Sequence, residues 1–203
     1  MMQVPGWWDQ NVSRETLDKL QGYAALIRKW TPKINLVAKS TIDDIEARHI
    51  WDSAQIHTSR QGVWADLGSG GGLPGVVVAI FAQADGLDAA VTLVESDQRK
   101  ATFLRTCARE LDLPMKVVAQ RVEDVQGLQA QTISARALAP LDSLLSLAKP
   151  HVAKCGLCLF QKGAHWQEEV EAAQQNWRFS YDAMPSKTNA EAVVLKIKDV
   201  TRV

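Results

Sequence analysis

Residues 66–75 read DLGSGGGLPG, five glycines and one proline in ten positions, directly after the apolar Val63, Trp64 and Ala65. Glycine opens positive φ to the backbone and lets a ligand approach it closely, at a cost in conformational entropy. A strand that runs into such a loop and then into a helix is the usual opening of a nucleotide-type site in an open α/β sheet. The stretch has two spellings. Gly70, Gly72 and Gly75 match G-x-G-x-x-G, the dinucleotide fingerprint, whereas Asp66, Gly68, Gly70 and Gly72 match D-x-G-x-G-x-G. The neighbouring chain decides between them.

Downstream of Val63, short strands alternate with helices. VWADL, AVTLVES, MKVVAQ, QTISARA and GLCLFQKG read as strands, and helices are expected in GVVVAIFA, QRKATFLRTCARELDL, PLDSLLSLAKPHVA and HWQEEVEAAQQN. This alternation predicts a largely parallel sheet covered on both faces. WRFSYDA and AVVLKIK follow each other without a helix between them, which predicts an antiparallel hairpin at one edge. Upstream, Leu17, Leu20, Ala24, Ile27 and Trp30 form one apolar stripe on a helix over residues 13–30, with Ser13 as its cap. Pro32 is expected to stop that helix. Thr41 and Asp44 resemble a capping box that starts a second helix, running to about His57. Residues 1–60 are therefore expected to form a helical extension, and residues 61–203 an α/β domain packed with it as one compact unit.

Composition sets further bounds. A chain of 203 residues with 46% hydrophobic and 23% charged residues is an ordinary globular protein with enough length for a substantial core. Lys plus Arg equals Asp plus Glu, 23 each, so any polyanionic partner must be met by a local basic face. The opening MMQVPGWWDQN has neither the basic nor the apolar region of a signal peptide, and no membrane partner is expected. Three cysteines, without framework spacing, suit a reducing compartment. The expected location is the cytoplasm.

The loop now resolves. In a dinucleotide site the third glycine sits inside the helix, but here Pro74 precedes Gly75, and proline suits a helix's first turn. The loop proper is then GSGGG. The chain beyond Glu95 only completes one sheet, leaving no separate substrate domain. D-x-G-x-G-x-G is the better spelling, and it is the first motif of S-adenosylmethionine-dependent methyltransferases. Glu95, at the end of the second strand, is placed to accept both ribose hydroxyls, a device that dinucleotide sites share.

Further motifs narrow the resemblance. LIRKW, KINLVAKS, RHIWDS, DLGSGGGLPG, ESDQRKATFLR, AQRVEDV, ISARALAPL and FQKG occur in this order from about Leu26 to Lys162. In these the chain resembles the bacterial RsmG (GidB) family, which methylates nitrogen-7 of a guanine in 16S ribosomal RNA. GLPG and RHIxDS are far more specific than any G-x-G pattern. The resemblance implies a Rossmann-like methyltransferase sheet, S-adenosyl-L-methionine as cofactor, and 16S ribosomal RNA as partner. Carried over by position, Gly68, Leu73, Val122, Glu123 and Arg136 would be cofactor contacts. One position departs: where the resemblance implies an arginine before the final strand, the chain has Glu191.

The residues allow the same roles on chemical grounds. Val122 offers an aliphatic surface for an adenine ring, and Glu123 an acceptor for its edge. Arg136, at a strand's carboxyl end, can bond guanine oxygen-6, a phosphate or a carboxylate. His49 and Asp52 share a helix face, either orienting substrate or bonding each other to fasten the extension. Neither they nor the Cys155/Cys158 pair makes a metal site, and the cysteines are expected in the core. Arg28, Lys29, Lys33, Lys39, Arg48, Arg99, Lys100, Arg105 and Arg109 are candidate phosphate contacts around the site's mouth. The competing readings are a small-molecule methyltransferase, which would need a closed apolar lid, and a nucleotide-binding module without methyl transfer. A monomer is expected.

Overall fold

The computed structural model describes residues 2–203. Seven strands form one sheet in the order β3-β2-β1-β4-β5-β7-β6. They are β1 (Gly62–Leu67), β2 (Ala89–Val94), β3 (Met115–Val118), β4 (Ala130–Arg136), β5 (Val152–Lys162), β6 (Trp177–Pro185) and β7 (Val193–Arg202). The first five strands are parallel. β7 pairs antiparallel with β5 and with β6, so the closing hairpin occupies one edge, as its sequence predicts. The chain steps outward from β1 to β3, then returns to the other side of β1 with β4. That reversal creates a crevice at the carboxyl ends of β1 and β4, where open sheets bind ligands.

Six helices accompany the strands. α1 (Arg14–Ile34), α3 (Gly75–Ala84) and α4 (Gln98–Glu110) contribute to one core cluster, which includes Leu20, Ile27, Val77, Ile80 and Phe103. α5 (Leu141–Ala148) and α6 (Trp166–Ala173) contribute to the other, which includes Leu144, Leu145, Phe160 and Leu195. In α4, Phe103, Leu104, Cys107 and the following Leu111 are buried, as their spacing predicts. The N-terminal helix thus shares a core with the sheet.

Two expectations for the N-terminal region are corrected. Pro32 does not stop α1, which continues to Ile34 and ends at the left-handed Asn35. Proline removes one N–H, but the carbonyl four residues back that would have accepted from it belongs to exposed Arg28, where water can serve, while Thr31 and Ile34 are buried. Thr41 does not cap a helix; it closes a 3-10 turn, Lys39–Thr41. Its hydroxyl donates to the Ala38 carbonyl at 2.8 Å and meets His49 Nε2 at 2.7 Å. The second helical element starts later, as a π-helical segment, Glu46–Trp51, that runs into the single turn α2 (Asp52–Ala54). No helix among the described residues is long and apolar enough to cross a membrane.

Candidate active site

The glycine loop joins β1 to α3, which begins at Gly75 with Pro74 as its cap. Gly68, Gly70 and Gly72 have φ of 63°, 56° and 85°, the region that favours glycine. Their surroundings differ. A side chain at Gly72 would strike Val76, Tyr23 and Leu104, and one at Gly68 would strike Leu138. One at Gly70 would enter open space, its nearest neighbour being the Gly68 carbonyl at 3.8 Å. The loop is packed from below and open at Gly70.

Three groups hold it. Tyr23, fully buried on α1, donates its hydroxyl to the Gly71 carbonyl at 2.5 Å. Glu95 accepts from the Gly70 N–H through Oε2 and from the Asp97 N–H through Oε1, both at 2.7 Å. Asp66 accepts from the Ser134 hydroxyl at 2.6 Å and from the Gly75 N–H at 3.3 Å, tying β1 to β4 and to the start of α3. Burial pushes the Asp66 carboxyl up to about 6, against the pull of those donors.

Strand register brings the remaining predicted residues to the same edge. Leu67 is level with Val94, Val94 with Val118, and Asp66 with Ser134. The residues that follow these strand ends, Gly68, Glu95 and Val122 to Glu123, therefore share one rim with Arg136. Three details depart from the sequence reading. Asp66 is fully enclosed and supports the loop from beneath, so its side chain offers no surface to a ligand. The Leu73 side chain is likewise buried in the core. Val122 also packs into a core cluster, so its side chain presents no stacking surface for adenine; Glu123 is exposed and pairs with Arg121 at 3.3 Å.

Arg136 is the centre of a network that sequence spacing does not reveal. His49 and Asp52 were expected either to contact substrate or to bond each other; instead both bond Arg136. Nη1 donates to Asp52 Oδ2 at 3.1 Å, and Nη2 lies 3.1 Å from His49 Nδ1. A guanidinium only donates, so Nδ1 is the acceptor and Nε2 carries the imidazole proton. That proton goes to the Thr41 hydroxyl, which donates onward to the Ala38 carbonyl. Partial burial and the Arg136 charge bring His49 down to about 4. Asp52 also accepts from Gln161 Nε2 at 2.8 Å, Gln55 Nε2 at 2.8 Å and the Thr188 hydroxyl at 2.5 Å. The extension, β4, β5 and the turn before β7 thus meet at one carboxylate. The segment RHIWDS was the visible signal; its partners on β4 and β5 lie too far along the chain to be read from spacing.

Beyond Arg136 lies an open cleft of about 800 Å3, at the carboxyl ends of β4 and β5 and against the turn between β6 and β7. Charged and polar groups, among them Arg48, Asp52, Arg136 and Glu191, share its walls with apolar Leu138, Pro140 and Val193, and it is open to solvent rather than closed by the apolar lid expected for a small-molecule acceptor. Lys162 is committed to Glu169 and the Ala139 carbonyl at 2.6 and 2.7 Å. Of the basic residues singled out in sequence, Arg48 and Arg136 line this cleft, while the others lie elsewhere. Cys155 is exposed, which corrects its expected core placement; Cys158 is buried, and burial pushes its thiol up to about 12. Among the described residues, no cluster of three or more His, Cys, Asp or Glu side chains is arranged to hold a metal.

Comparison with known proteins agrees with this architecture. The GidB family, described as rRNA small subunit methyltransferase G, matches residues 16–194. A Cereibacter sphaeroides protein named Ribosomal RNA small subunit methyltransferase G is 48% identical over 206 residues, covering 100% of both chains. A Paracoccus denitrificans protein of the same name is 50% identical, covering 92% of this chain and 96% of its own. Among solved structures, M. jannaschii TYW2 in complex with AdoMet superposes with a TM-score of 0.58 at 13% identity, covering 85% of this chain and 80% of that one. The Methanococcus jannaschii fibrillarin pre-rRNA processing protein gives 0.52 at 16% identity, over 68% of this chain and 66% of that one. At such identities these structures speak for the fold alone.

Proposed function

The chain belongs to the GidB family, the rRNA small subunit methyltransferases G, and from that premise we propose how its residues hold cofactor and acceptor. It is an S-adenosylmethionine-dependent methyltransferase of small-subunit ribosomal RNA. In our reading the modified atom is nitrogen-7 of a guanine in 16S RNA.

The open space at Gly70, beside a carboxylate at the end of β2, suits this cofactor. Gly68, Gly70 and Gly72 let backbone approach its methionine portion, with Leu73 contributing through its main chain. Glu95 keeps lone pairs for the ribose hydroxyls, and the main chain of Val122 with Glu123 borders the adenine. Asp66 acts indirectly, by fixing the loop. When bound, S-adenosylmethionine supplies an electrophilic methyl group. The protein's task is then to align the acceptor, making the encounter effectively unimolecular. Guanine nitrogen-7 offers an in-plane lone pair and no proton, so attack needs no general base. Arg136 can donate to guanine oxygen-6 and leave nitrogen-7 free.

The observation that carries this reading is the position of Arg136, on the rim shared with the glycine loop and in the wall of the open cleft. Equal numbers of acidic and basic residues, with few basic groups in the cleft, argue that naked RNA binds weakly and with a shallow salt dependence. Recognition then requires RNA folded in a ribosomal context. We further propose a cytoplasmic monomer in which residues 1–60 and 61–203 act as one unit, since α1 shares a core with α3 and α4. The test compares methyl transfer to assembled small subunits, free 16S RNA and short oligonucleotides over a range of salt. Faster transfer to the folded particle is expected; equal turnover on unstructured oligonucleotides would overturn the ribosomal-context reading.

A further inference from the structure

The acceptor cleft holds three carboxylates, Asp52, Glu169 and Glu191. Two are committed to the protein. Asp52 takes donors from Arg136, Gln161, Gln55 and Thr188. A single Glu169 oxygen takes both the Lys162 ammonium, at 2.6 Å, and the Leu141 N–H, at 2.7 Å. Among the described residues the Glu191 carboxylate has no hydrogen-bond or ion-pair partner; its main-chain N–H donates to Asn189 Oδ1 at 3.1 Å. Its turn is nevertheless anchored. Ser186 donates its N–H to the Ala192 carbonyl at 2.9 Å, Thr188 bonds Asp52, and the Lys187 N–H bonds Gln55 Oε1 at 2.9 Å. A free carboxylate on an anchored turn, facing a cleft that also contains Arg136, is a preorganised acceptor.

Guanine alone among the RNA bases presents two adjacent donors, N1–H and the N2 amino group, beside the oxygen-6 acceptor. A carboxylate matches the two donors and a guanidinium matches the oxygen. Two Arg136 nitrogens each spend one N–H on His49 and Asp52, which leaves further N–H groups of the five. We propose that Glu191 reads the N1–H and N2–H edge of the acceptor guanine while Arg136 takes oxygen-6. This would leave nitrogen-7, on the opposite side of oxygen-6, free to be methylated. Adenine, with an acceptor at N1, would set a lone pair against the carboxylate. The inference rests on the reading of this cleft as the acceptor site for guanine.

The test uses the full chain and small-subunit particles lacking the modification, with the acceptor position first mapped by labelled product. If the wild-type protein transfers no methyl group to guanine, the functional reading fails before Glu191 is at issue. Where it does, particles carrying inosine at that position remove only the N2 amino group. Wild type should prefer guanine over inosine, and Glu191→Ala should lose that preference while falling roughly ten- to a hundred-fold in kcat/KM on guanine. Affinity for S-adenosylhomocysteine should not change. Glu191→Gln, which puts one amide donor where an acceptor is needed, should also lose the preference. An equal loss on both acceptors, no preference in wild type, or variants as fast as wild type would each overturn the proposal. The last result would mark Glu191 as no more than a repulsive rim charge.

Discussion

Arg136 Nη2 donates to His49 Nδ1 at 3.1 Å, so the arginine at the end of β4 is oriented by a histidine from the N-terminal helical region, 87 positions away in sequence. The same histidine gives its Nε2 proton to Thr41. Both imidazole nitrogens are therefore engaged, and neither is free to take a proton from a substrate. The histidine positions; it does not titrate near neutrality.

This arrangement predicts a flat rate profile. His49 is brought down to about 4 by burial and by Arg136, so it stays neutral through the range where an ordinary histidine, near 6.5, would gain a proton. Single-turnover transfer should be nearly constant from pH 6 to 8. Arg136→Ala should cost about 2–4 kcal/mol of transition-state stabilisation, the scale of one lost electrostatic donor. His49→Gln should lower stability more than it lowers transfer. The wild-type stability attributable to His49 should also fall as pH drops from about 6.5 towards about 4, because the unfolded chain binds the proton more readily. A rate that climbs tenfold per pH unit in wild type but not in His49→Gln would reveal a catalytic base.

Asp66 predicts the opposite slope in stability. Its carboxyl is raised from 3.8 to about 6 by burial, so the folded protein favours the protonated form. Stability relative to Asp66→Asn should fall as pH rises from about 4 to about 6 and stay level above. The expected span is about 3 kcal/mol. Denaturant titrations of both proteins at several pH values measure it, and parallel curves would show that the charge is better solvated than its enclosure implies.

Much of this was legible in the chain, because strand–loop–helix units and the glycine spacing are local patterns. The parallel core, the edge hairpin and the start of α3 just after Pro74 follow from residues within a few positions of each other. Other features depend on contacts that periodicity does not encode. Pro32 reads as a breaker, yet Thr31 and Ile34 are buried against the domain and carry α1 past it. The π-helical turn at Glu46–Trp51 comes with an arginine from β4 meeting His49 and Asp52. Tyr23 carried no motif at all; its role shows only in its bond to Gly71. Asp66, Leu73 and Val122 stand at strand ends and in the loop, but their side chains turn into the core, because which way a side chain faces there is set by packing.

The glycines separate packing from ligand contact. Gly72→Ala should destabilise the fold, since its side chain would lie 2.5 Å from Val76 and 2.8 Å from the Tyr23 hydroxyl. Gly70→Ala meets open space and should cost only the roughly 1–2 kcal/mol of a left-handed alanine. Thermal unfolding and S-adenosylhomocysteine titration should therefore move separately: Gly70→Ala stays folded and binds weakly, and Gly70→Val should not bind. Wild-type affinity in folded Gly70→Val would remove the loop from the cofactor site.

The most direct measurement is the identity of the product nucleoside. One turnover with methyl-labelled S-adenosylmethionine and unmodified small subunits, followed by digestion of the RNA, locates the methyl group. The account predicts label in 7-methylguanosine from 16S RNA, at a single position, appearing about thirty- to a thousand-fold more slowly with Arg136→Ala. Label in any other nucleoside, or in no RNA at all, would contradict it.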